Sequence, residues 1–436
     1  MQQEELVFVG ICDLAGLVRG KGFPAADLER RWRQGVGLTG SNIMISAFGP
    51  IYSSPFGTRG DLVMMPDPAT TVQVPFDEGA AERFILADIQ ELDGRPWSHC
   101  PRDFLRRALA ALEAEAELTV KAAFEQEFVH TGIADRPGDA YSLSSFRRQG
   151  LFGESLTAAL RAAGLVPDSF LPEYGPRQFE VTVKPSFGLR AADEAVITRE
   201  MIRSVAERMG FRASLAPIMA PDGIGNGTHI HFSLWDEGGA PVMRGRAGDA
   251  HGLAPRVQSF VAGVLHHLPA LTAITAPSAA SYYRLQPNRW APVWAFLGTQ
   301  DRGAALRACP VFPGAPEQAA RQFNLEYRVA DAACCPYLAL GALIWAGLDG
   351  MRKKMTLPPA LPGFWEMDEA ARAAAGVHTL PRTLADALDL LQATEAAEEW
   401  FGADFLAAYL EFKRSEIAAL IGLEPADICD RYAAVY

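Results

Sequence analysis

Three signals that would assign a protein class are absent from this 436-residue sequence. Its six cysteines, at positions 12, 100, 309, 334, 335 and 429, have the spacing of neither a zinc module nor a disulfide framework. Acidic residues outnumber basic ones and give a net charge of −12, which disfavours a nucleic-acid or anionic membrane partner. The longest apolar run, Pro336 to Leu348, is too short to span a bilayer and predicts a buried helix.

What remains is the composition of a soluble globular protein. Hydrophobic residues make up 49% of the chain and charged residues 21%, enough for a core in each of two or more domains. The first residues, Met1 to Glu5, lack the basic-then-apolar order of a signal peptide. Cysteines without a disulfide pattern fit a reducing compartment. We therefore expect a cytoplasmic protein that binds neither nucleic acid nor a membrane.

The sequence changes character near residue 100. Residues 6–100 alternate short apolar runs, such as Leu6 to Cys12, with turn-forming residues, which predicts strands. At Pro101 an amphipathic segment begins with proline in its first turn, which predicts a helix. Beyond it, helical patterns and short strands follow one another without regular βαβ crossovers, which is an α+β pattern. We expect two domains, 1–100 and 101–436.

Four short segments place polar side chains two residues apart. They are Glu125-Gln126-Glu127, Gln178-Phe179-Glu180 preceded by Glu173, His229-Ile230-His231, and Glu326-Tyr327-Arg328. Residues i and i+2 of a strand face the same way, so each segment aims two polar groups at one side of a sheet. Any one pair is more often a solvated or ion-paired strand face than a ligand pair. Together, the carboxylates and imidazoles suit hard divalent cations, and two metals facing several arginines suggest phosphoryl transfer.

The order of these motifs resembles the glutamine synthetase family from about residue 6 to the C-terminus. Between the segments above lie Gly-Asn-Gly-Thr at 225–228, Arg-Leu-Gln-Pro at 284–287 and Asp-Arg-Gly-Ala-Ala-Leu-Arg at 301–307. The resemblance implies an α+β fold with a small N-terminal β-grasp-like domain and a catalytic domain, whose curved antiparallel sheet is flanked by helices. It also implies an ATP-dependent ligase that converts glutamate to γ-glutamyl phosphate, which an amine then attacks.

The same resemblance assigns roles to individual residues. Mg²⁺ or Mn²⁺, two or more ions per active site, would be held by two sets of ligands: Glu127, Glu173 and Glu180, and Glu125, His229 and Glu326. ATP would lie against His231, Ser233, Arg302 and Arg307. Glutamate would contact Glu127, Gly225, Arg284 and Arg328. The arginines given catalytic roles, which would offset the repulsion between two anionic reactants, are Arg284, Arg302 and Arg328.

The chain departs from the family pattern where the amine enters. Trp290 stands where the family normally has a glutamate that receives ammonium. A second expected carboxylate, an aspartate of the N-terminal domain that reaches across a subunit interface, is also missing, because no Asp or Glu occurs between Arg30 and Gly60. That stretch holds Phe48 and Tyr52 instead. We expect these three aromatic residues to determine amine specificity.

The missing carboxylates predict the class of amine. A protonated amine is costly in an apolar pocket without a counter-charge, whereas an aromatic amine is mostly neutral at about pH 7 and stacks on rings. The expected acceptor is therefore a hydrophobic, aniline-like amine. The alternatives are an alkylamine or polyamine, ammonia as in glutamine synthetase itself, and a catalytically silent relative. The resemblance further implies a homo-oligomer, commonly a dodecamer of stacked rings, whose active sites are shared between subunits.

Overall fold

The N-terminal part of the chain forms a mixed sheet. The structure is a computed structural model that describes residues 4–58, 60–76 and 79–436. The strands are β1 (Leu6–Cys12), β2 (Val18–Pro24), β3 (Val36–Thr39), β4 (Asp61–Pro66), β5 (Val72–Val74) and β6 (Glu82–Gln90), and helix α1 (Leu28–Gln34) connects β2 to β3. The order is β2-β1-β6-β4-β3, with β1 and β6 parallel and the other pairs antiparallel. Alternate residues of β3 and β4 are buried, the period expected of strands with one solvated face.

The rest of the chain surrounds two further sheets. Their strands are β7 (Leu118–Phe124), β8 (Gln126–His130), β9 (Pro167–Pro172), β10 (Gln178–Val183), β11 (Ser186–Phe187), β12 (Ala213–Ser214), β13 (Ile230–Asp236), β14 (Leu297–Thr299), β15 (Leu306–Ala308) and β16 (Leu325–Tyr327). One sheet has the order β12-β8-β10-β9 and the other β11-β7-β13-β16-β15-β14. The pairs are antiparallel except β14 with β15, which are parallel. The α+β class is thereby confirmed, with that one parallel edge as a departure from the expected antiparallel sheet.

Helices flank these sheets. They are α2 (Pro101–Ala116), α3 (Leu143–Arg148), α4 (Gly150–Ala162), α5 (Leu189–Arg208), α6 (Pro255–Thr275), α7 (Ser281–Arg284), α8 (Pro316–Gln322), α9 (Pro336–Arg352), α10 (Glu369–Ala374), α11 (Leu384–Ala393), α12 (Glu395–Phe401), α13 (Ala403–Ala418) and α14 (Pro425–Ala433). The apolar run at Pro336 is indeed a buried helix, α9. It crosses α6 so closely that a Cβ on Gly350 would lie 2.5 Å from the Cα of Gly263, which is why glycine stands at this crossing.

Helix α6 is longer than its sequence pattern indicates. The pattern predicts a helix over residues 256–267, but α6 continues through Pro269 to Thr275 because apolar packing around it outweighs the proline. By length and composition alone it is the helix of the described chain that could cross a membrane, yet 72% of its most apolar window is buried inside the protein. Its burial against α9 makes it a core helix of this fold.

Buried ion pairs join the two parts of the chain, whose boundary we propose at residue 100. The guanidinium of Arg102, at the start of α2, donates to Asp67 at 2.6 Å and to Asp88 at 3.0 Å, both from the N-terminal sheet. It also donates to Asp193 of α5 at 3.0 Å. Arg102 is only 3% exposed, so these bonds operate in a medium of low polarity. They hold the N-terminal sheet against the sheets that carry the candidate site.

Candidate active site

A cleft of about 460 Å³ lies along β8, β10 and the ends of β13 and β16. One wall is acidic and the opposite wall carries arginines. Eleven of the site residues predicted from the sequence line it: Glu125, Glu127, Glu173, Glu180, Gly225, His229, Arg284, Trp290, Arg302, Arg307 and Arg328. The fold therefore gathers residues that are up to about two hundred positions apart in the chain, and the pairwise spacing seen in the sequence corresponds to real proximity.

The first Glu-x-Glu pair occupies the junction of the two catalytic-domain sheets. Glu125 lies in the single-residue gap between β7, which pairs with β13, and β8, which pairs with β10. Its amide donates to the carbonyl of His229, and the amide of Glu127 donates to that of Gly227. The His229 ring nitrogen Nδ1 is consequently 3.0 Å from a Glu125 oxygen and 4.0 Å from a Glu127 oxygen. Both carboxylates face the cleft, as alternation predicts, although Glu125 itself is outside the strands.

Two sets of potential ligand atoms stand out among the described residues. One is Glu125, Glu180 and His229, and the other is Glu125, His231 and Glu326, with ligand atoms within 4.8 Å of one another in each set. Mixed carboxylate and imidazole donors that converge in this way fit a divalent cation. The sets differ from the expected grouping because Glu125 is common to both and His231, which was expected against ATP, joins the second.

Glu127 and Glu173 were expected to bind a metal with Glu180, and each has other partners in this structure. One Glu127 oxygen accepts the amide of Gly227 at 2.6 Å and the Gln178 amide at 3.3 Å. Glu173 accepts the hydroxyl of Tyr141 at 2.8 Å. Both carboxylates still line the cleft beside Glu180. These hydrogen bonds hold Glu127 and Glu173 away from the two sets of converging ligand atoms. The metal-ligand sets therefore differ from those expected, although both residues lie in the acidic wall as expected.

The carboxylates of the acidic wall repel one another. Burial raises the pKa of Glu180 well above its usual range, and repulsion from Glu125 and Glu127 raises it further. Burial alone would also raise the pKa of Glu125, but His231 and His229 outweigh burial and hold that pKa well below its usual value. Carboxylates crowded in this way favour a bound cation, since a positive ion between them would replace repulsion with attraction.

Glu326 connects the acidic wall to the arginines. It is 1% exposed and accepts hydrogen bonds from both Arg307 and Arg328. Another expected arginine of this wall, Arg284, donates to the backbone carbonyls of residues 328, 329 and 330 at 2.8–3.0 Å. A Cβ on Gly225 would lie 2.4 Å from the Arg284 Cγ, so only glycine lets this loop pass the arginine. Guanidinium groups fixed in this manner are suited to anionic substrates.

One aromatic residue that the sequence interpretation did not single out extends the site along β13. His231, Ser233 and Trp235 share a face of this strand, and the Trp235 ring nitrogen donates to the Ser233 hydroxyl at 2.8 Å. Phe187 meets the Trp235 ring edge-on at 5.4 Å, and the Lys121 amine lies 5.1 Å from its centre. Because Trp235 is only 3% exposed, these contacts bury its ring and fix the Ser233 hydroxyl on the face of β13 that also carries His231. The alternating pattern His-x-His-x-Ser-x-Trp was the available signal for it.

Beside Glu173, the cleft is lined by aromatic and aliphatic residues. Trp290 is 60% exposed and packs against Tyr174, with 5.1 Å between ring centres. Tyr141, Leu171 and Ile224 complete this end, which we call the aromatic mouth. Trp290 has a φ of 58°, a left-handed conformation that is rare for a bulky residue. The sequence predicted Trp290 here, but the two tyrosines come from distant segments and were not expected.

Phe48 and Tyr52 lie elsewhere within the same chain. The Phe48 ring packs on Tyr432 of α14, with 5.0 Å between centres, and Tyr52 is 41% exposed on the surface. Neither lines the cleft. The loop that carries them is fixed to α13 by a hydrogen bond from the amide of Ala47 to Glu416 at 2.9 Å. A role for them in amine specificity therefore stays a prediction that requires a neighbouring subunit.

Family comparisons cover nearly the whole chain. The family described as the glutamine synthetase N-terminal domain matches residues 1–97, and that of the glutamine synthetase catalytic domain matches residues 98–427. Among individual proteins, a gamma-glutamylpolyamine synthetase of Streptomyces coelicolor is 36% identical, over 99% of this chain and 93% of its own length. A glutamine synthetase of Pyrococcus abyssi is 32% identical, over 94% of this chain and 89% of its own length.

Solved structures give the same picture. A crystal structure described as a novel glutamine synthase homolog superposes with a TM-score of 0.92 at 40% identity, over 100% of this chain and 99% of that one. A complex of ADP with a protein called GmaS superposes with a TM-score of 0.80 at 27% identity, over 95% of this chain and 94% of that one.

Proposed function

The chain belongs to the glutamine synthetase family and is an ATP-dependent ligase, and from that premise we propose that it joins the γ-carboxylate of glutamate to an alkylamine or polyamine. The observation that carries the proposal is the contrast between the two ends of one cleft. Carboxylates, His229 and arginines line one end, whereas Trp290, Tyr174 and Tyr141 line the end beside Glu173. The first end suits phosphoryl transfer, and the second suits an organic amine better than ammonium.

The acidic and arginine walls support the formation of γ-glutamyl phosphate. Both reactants, the glutamate carboxylate and the ATP phosphates, are anions, so cations must offset their repulsion. Arg302 and Arg307 are proposed to bind the phosphates, with Arg284 and Arg328 holding the glutamate carboxylates. Each assignment pairs a cationic side chain of the cleft with the anionic substrate group that it would bind.

The ligand sets around Glu125 fit Mg²⁺ or Mn²⁺. Glu125 and Glu180 with His229, and Glu125 and Glu326 with His231, offer mostly oxygen donors, which hard cations prefer. Two or more such ions, when bound, would neutralise charge on the phosphates. The chain's own part is to hold these donors: the Asn324 amide oxygen accepts from Nδ1 of His231 at 2.9 Å, and Arg307 and Arg328 donate to Glu326. Fixed donors of this kind support metal affinity.

The aromatic mouth selects the nucleophile. The expectation of an aniline-like amine assumed that a protonated amine would lack a counter-charge beside Trp290. The faces of Trp290 and Tyr174 can themselves attract an ammonium group, because an aromatic face carries partial negative charge. The hydrogen-bonded Glu173 and Tyr141 pair, 2.8 Å apart, adds polar groups at the same end. Together with the 36%-identical polyamine ligase, these features favour an alkylamine or polyamine over an aromatic amine.

Ammonia as acceptor is the second candidate. It is favoured by the Pyrococcus glutamine synthetase, which aligns over 94% of this chain. The sequence argues against it at one position, since Trp290 stands where the family normally has the ammonium-receiving glutamate. A bulky apolar ring offers ammonium no full charge and no hydrogen-bond acceptor. We therefore place ammonia behind organic amines.

An amine panel tests the proposal. Purified protein with ATP, Mg²⁺ and glutamate would be offered ammonium, methylamine, putrescine, spermine or aniline, while ADP release and the γ-glutamyl amide are measured. We expect the highest kcat/KM with an alkylamine or polyamine. A highest value with ammonium would establish glutamine synthetase instead, and one with aniline would restore the aromatic-amine expectation. Absence of ADP release with every amine would identify a silent relative.

Assembly belongs to the same proposal. By analogy with the family, we propose a homo-oligomer of stacked rings, a dodecamer, in which a neighbouring N-terminal domain borders each aromatic mouth. The exposed Tyr52 and Ile51 of the acid-free loop support this, since both are large apolar residues left on the surface of a single chain. Light scattering coupled to size exclusion would measure the mass, and a monomer would contradict the shared site.

A further inference from the structure

A second cavity lies beside β14 and α6 and serves no part of the proposed reaction. Its volume is about 360 Å³, and it is enclosed by α6, the start of β14 and the segments 355–361 and 375–377. Ligand pockets in proteins are typically about 300–1,000 Å³, so this cavity can hold a small molecule. We call it the rear pocket. It is separate from the cleft, since the two share no lining residue among the described residues.

The lining of the rear pocket defines the chemistry of its ligand. Within the described chain it includes no Asp, Glu, Lys or Arg, so a charged ligand would be buried without a counter-charge. Leu265, Phe296 and Leu361 provide most of the apolar wall, and His251, His266 and Thr356 provide the polar groups. The fitting ligand is therefore neutral, largely apolar, and equipped with one or two hydrogen-bonding atoms.

The polar groups of this pocket are themselves positioned. His251 lies 3.3 Å from the carbonyl of Pro358 through Nε2 and 3.3 Å from the Thr299 hydroxyl through Nδ1. A carbonyl can only accept, so Nε2 carries the proton and Nδ1 accepts from the threonine. Burial lowers the pKa of His251, which keeps the ring neutral near neutral pH. The histidine thus joins the pocket lining to β14 without adding charge.

Two structural connections lead from the rear pocket to the phosphate arginines. Leu297 of β14 lines the pocket, and the chain continues from the end of β14 through Gln300 and Asp301 to Arg302 of the cleft. In the parallel pairing of β14 with β15, Gly298 stands opposite Arg307. A ligand that contacts β14 therefore bears on both arginines proposed to bind ATP.

The second connection is aromatic. Phe296 stacks on Phe364, with 3.9 Å between ring centres, and these rings form a small apolar cluster with Val377 and Ala304, two residues after Arg302. Next to Phe364, the Trp365 ring nitrogen donates to Asp301 at 2.9 Å. Phe296 and Val377 line the rear pocket directly. The loop that carries Arg302 is thus held by the same residues that a ligand would touch.

We infer that the rear pocket is an allosteric site for a neutral, predominantly apolar small molecule, which tightens ATP binding by fixing Phe296 and β14. Phe296 and Leu297 are only 5% and 6% exposed, and a ligand in the pocket would add contacts to the part of each that lines it. A loop fixed before ATP binds loses less freedom on binding, so the affinity for ATP rises. Ligand binding in the rear pocket is independent of the proposed function, whereas the effect on ATP affinity rests on the proposed role of Arg302.

Prodan, a neutral naphthalene ketone whose emission shifts to the blue in apolar surroundings, is a suitable probe. Ala375 lines the pocket, and Ala374, its neighbour in α10, is exposed and does not. We expect a blue shift with the wild type and with Ala374→Phe, and loss of the shift with Ala375→Phe, whose ring fills the cavity. ADP with Mg²⁺ should not displace the probe. If Prodan binds Ala375→Phe as well as the wild type, or if ADP displaces it, the assignment of the rear pocket as a ligand site is wrong.

Kinetics test the coupling. Saturating Prodan should lower the KM for ATP by about fivefold, the small end of allosteric effects, in the wild type and Ala374→Phe but not in Ala375→Phe. An unchanged or raised KM in the wild type would overturn the coupling. If Ala375→Phe unfolds at a lower temperature than Ala374→Phe, then Thr356→Trp, at an exposed lining position, replaces it. Probe fluorescence needs no turnover, so failure of the proposed reaction would leave the binding result intact.

Discussion

The two ends of the active-site cleft are built in opposite ways. At the metal and phosphate end, Glu326 is 1% exposed and His229 8% exposed, and each has several charged partners. At the aromatic mouth, Trp290, Tyr141 and Tyr174 are 60%, 58% and 47% exposed. A buried charge with many partners cannot change without disturbing all of them, whereas an exposed ring can. The chemistry of activation is therefore fixed by the core, and the choice of amine is set at a surface.

The largest effect is expected at the fixed end. Glu326→Ala removes a potential metal ligand and leaves Arg307 and Arg328 without their common acceptor. Because loss of groups that merely support a ligand costs about 10–100-fold, loss of the ligand should lower ADP release by about a hundredfold or more. Glu317→Ala, at an exposed position of α8, is the control and should be neutral. Near-normal turnover of Glu326→Ala would break the assignment of this end.

The effect of Mg²⁺ on thermal stability tests whether the metal and phosphate end binds a cation. Glu180 is buried among Glu125 and Glu127, and its raised pKa shows that its charged form is disfavoured there. Mg²⁺ should stabilise the wild type by about 2.7 kcal/mol at a hundredfold excess over Kd, seen as a rise in Tm. Glu180→Gln removes one repelling charge and one ligand, so its Tm without Mg²⁺ should be higher and its response to Mg²⁺ smaller. Glu154→Gln, exposed on α4, should respond as the wild type does; an equal response of Glu180→Gln would contradict the site.

The aromatic mouth should react differently. Trp290→Ala deletes the ring that packs on Tyr174, and loss of a partly exposed cation–π contact should raise the KM for the amine by about tenfold. The KM for ATP and for glutamate should stay within about twofold, because the fixed end is untouched. Trp290→Phe keeps an aromatic face and should recover most of the affinity. A change in the KM for ATP as large as that for the amine would erase the distinction between the ends.

Introducing the family's own residue sharpens the same point. Trp290→Glu restores a carboxylate at the position where the family normally receives ammonium, and a full charge near an ammonium ion is worth about 1 kcal/mol even in water. We expect ammonium turnover to rise about fivefold, measured as glutamine formed. If ammonium is used no better than by the wild type, Trp290 is not what excludes it.

The sequence predicted the fixed end far better than the mouth. Strand alternation placed Glu125 with Glu127 and His229 with His231, since a strand puts alternate residues on one face regardless of its neighbours. Alternation could not predict that Glu125 lies in the gap between two sheets or belongs to both ligand sets. Both features depend on which strands pair, and strand pairing is set by contacts between distant parts of the chain. Tyr174 and Tyr141 meet Trp290 only through packing of separate loops. The rear pocket likewise depends on segments about a hundred residues apart in the chain.

The smallest effect is expected at the acid-free loop, whose large apolar side chains are exposed in a single chain. Tyr52 is 41% exposed and Ile51 is 44% exposed, side by side in the acid-free loop. If that loop borders the mouth of a neighbouring subunit, Tyr52→Ala should raise the KM for the amine by about threefold, the loss expected for one partly exposed ring. Ile51→Ala removes a similar apolar area without an aromatic face and serves as the matched control. If both variants keep the wild-type KM for the amine, amine recognition is confined to Trp290 and the tyrosines of the same chain. Amine specificity would then not depend on a neighbouring subunit.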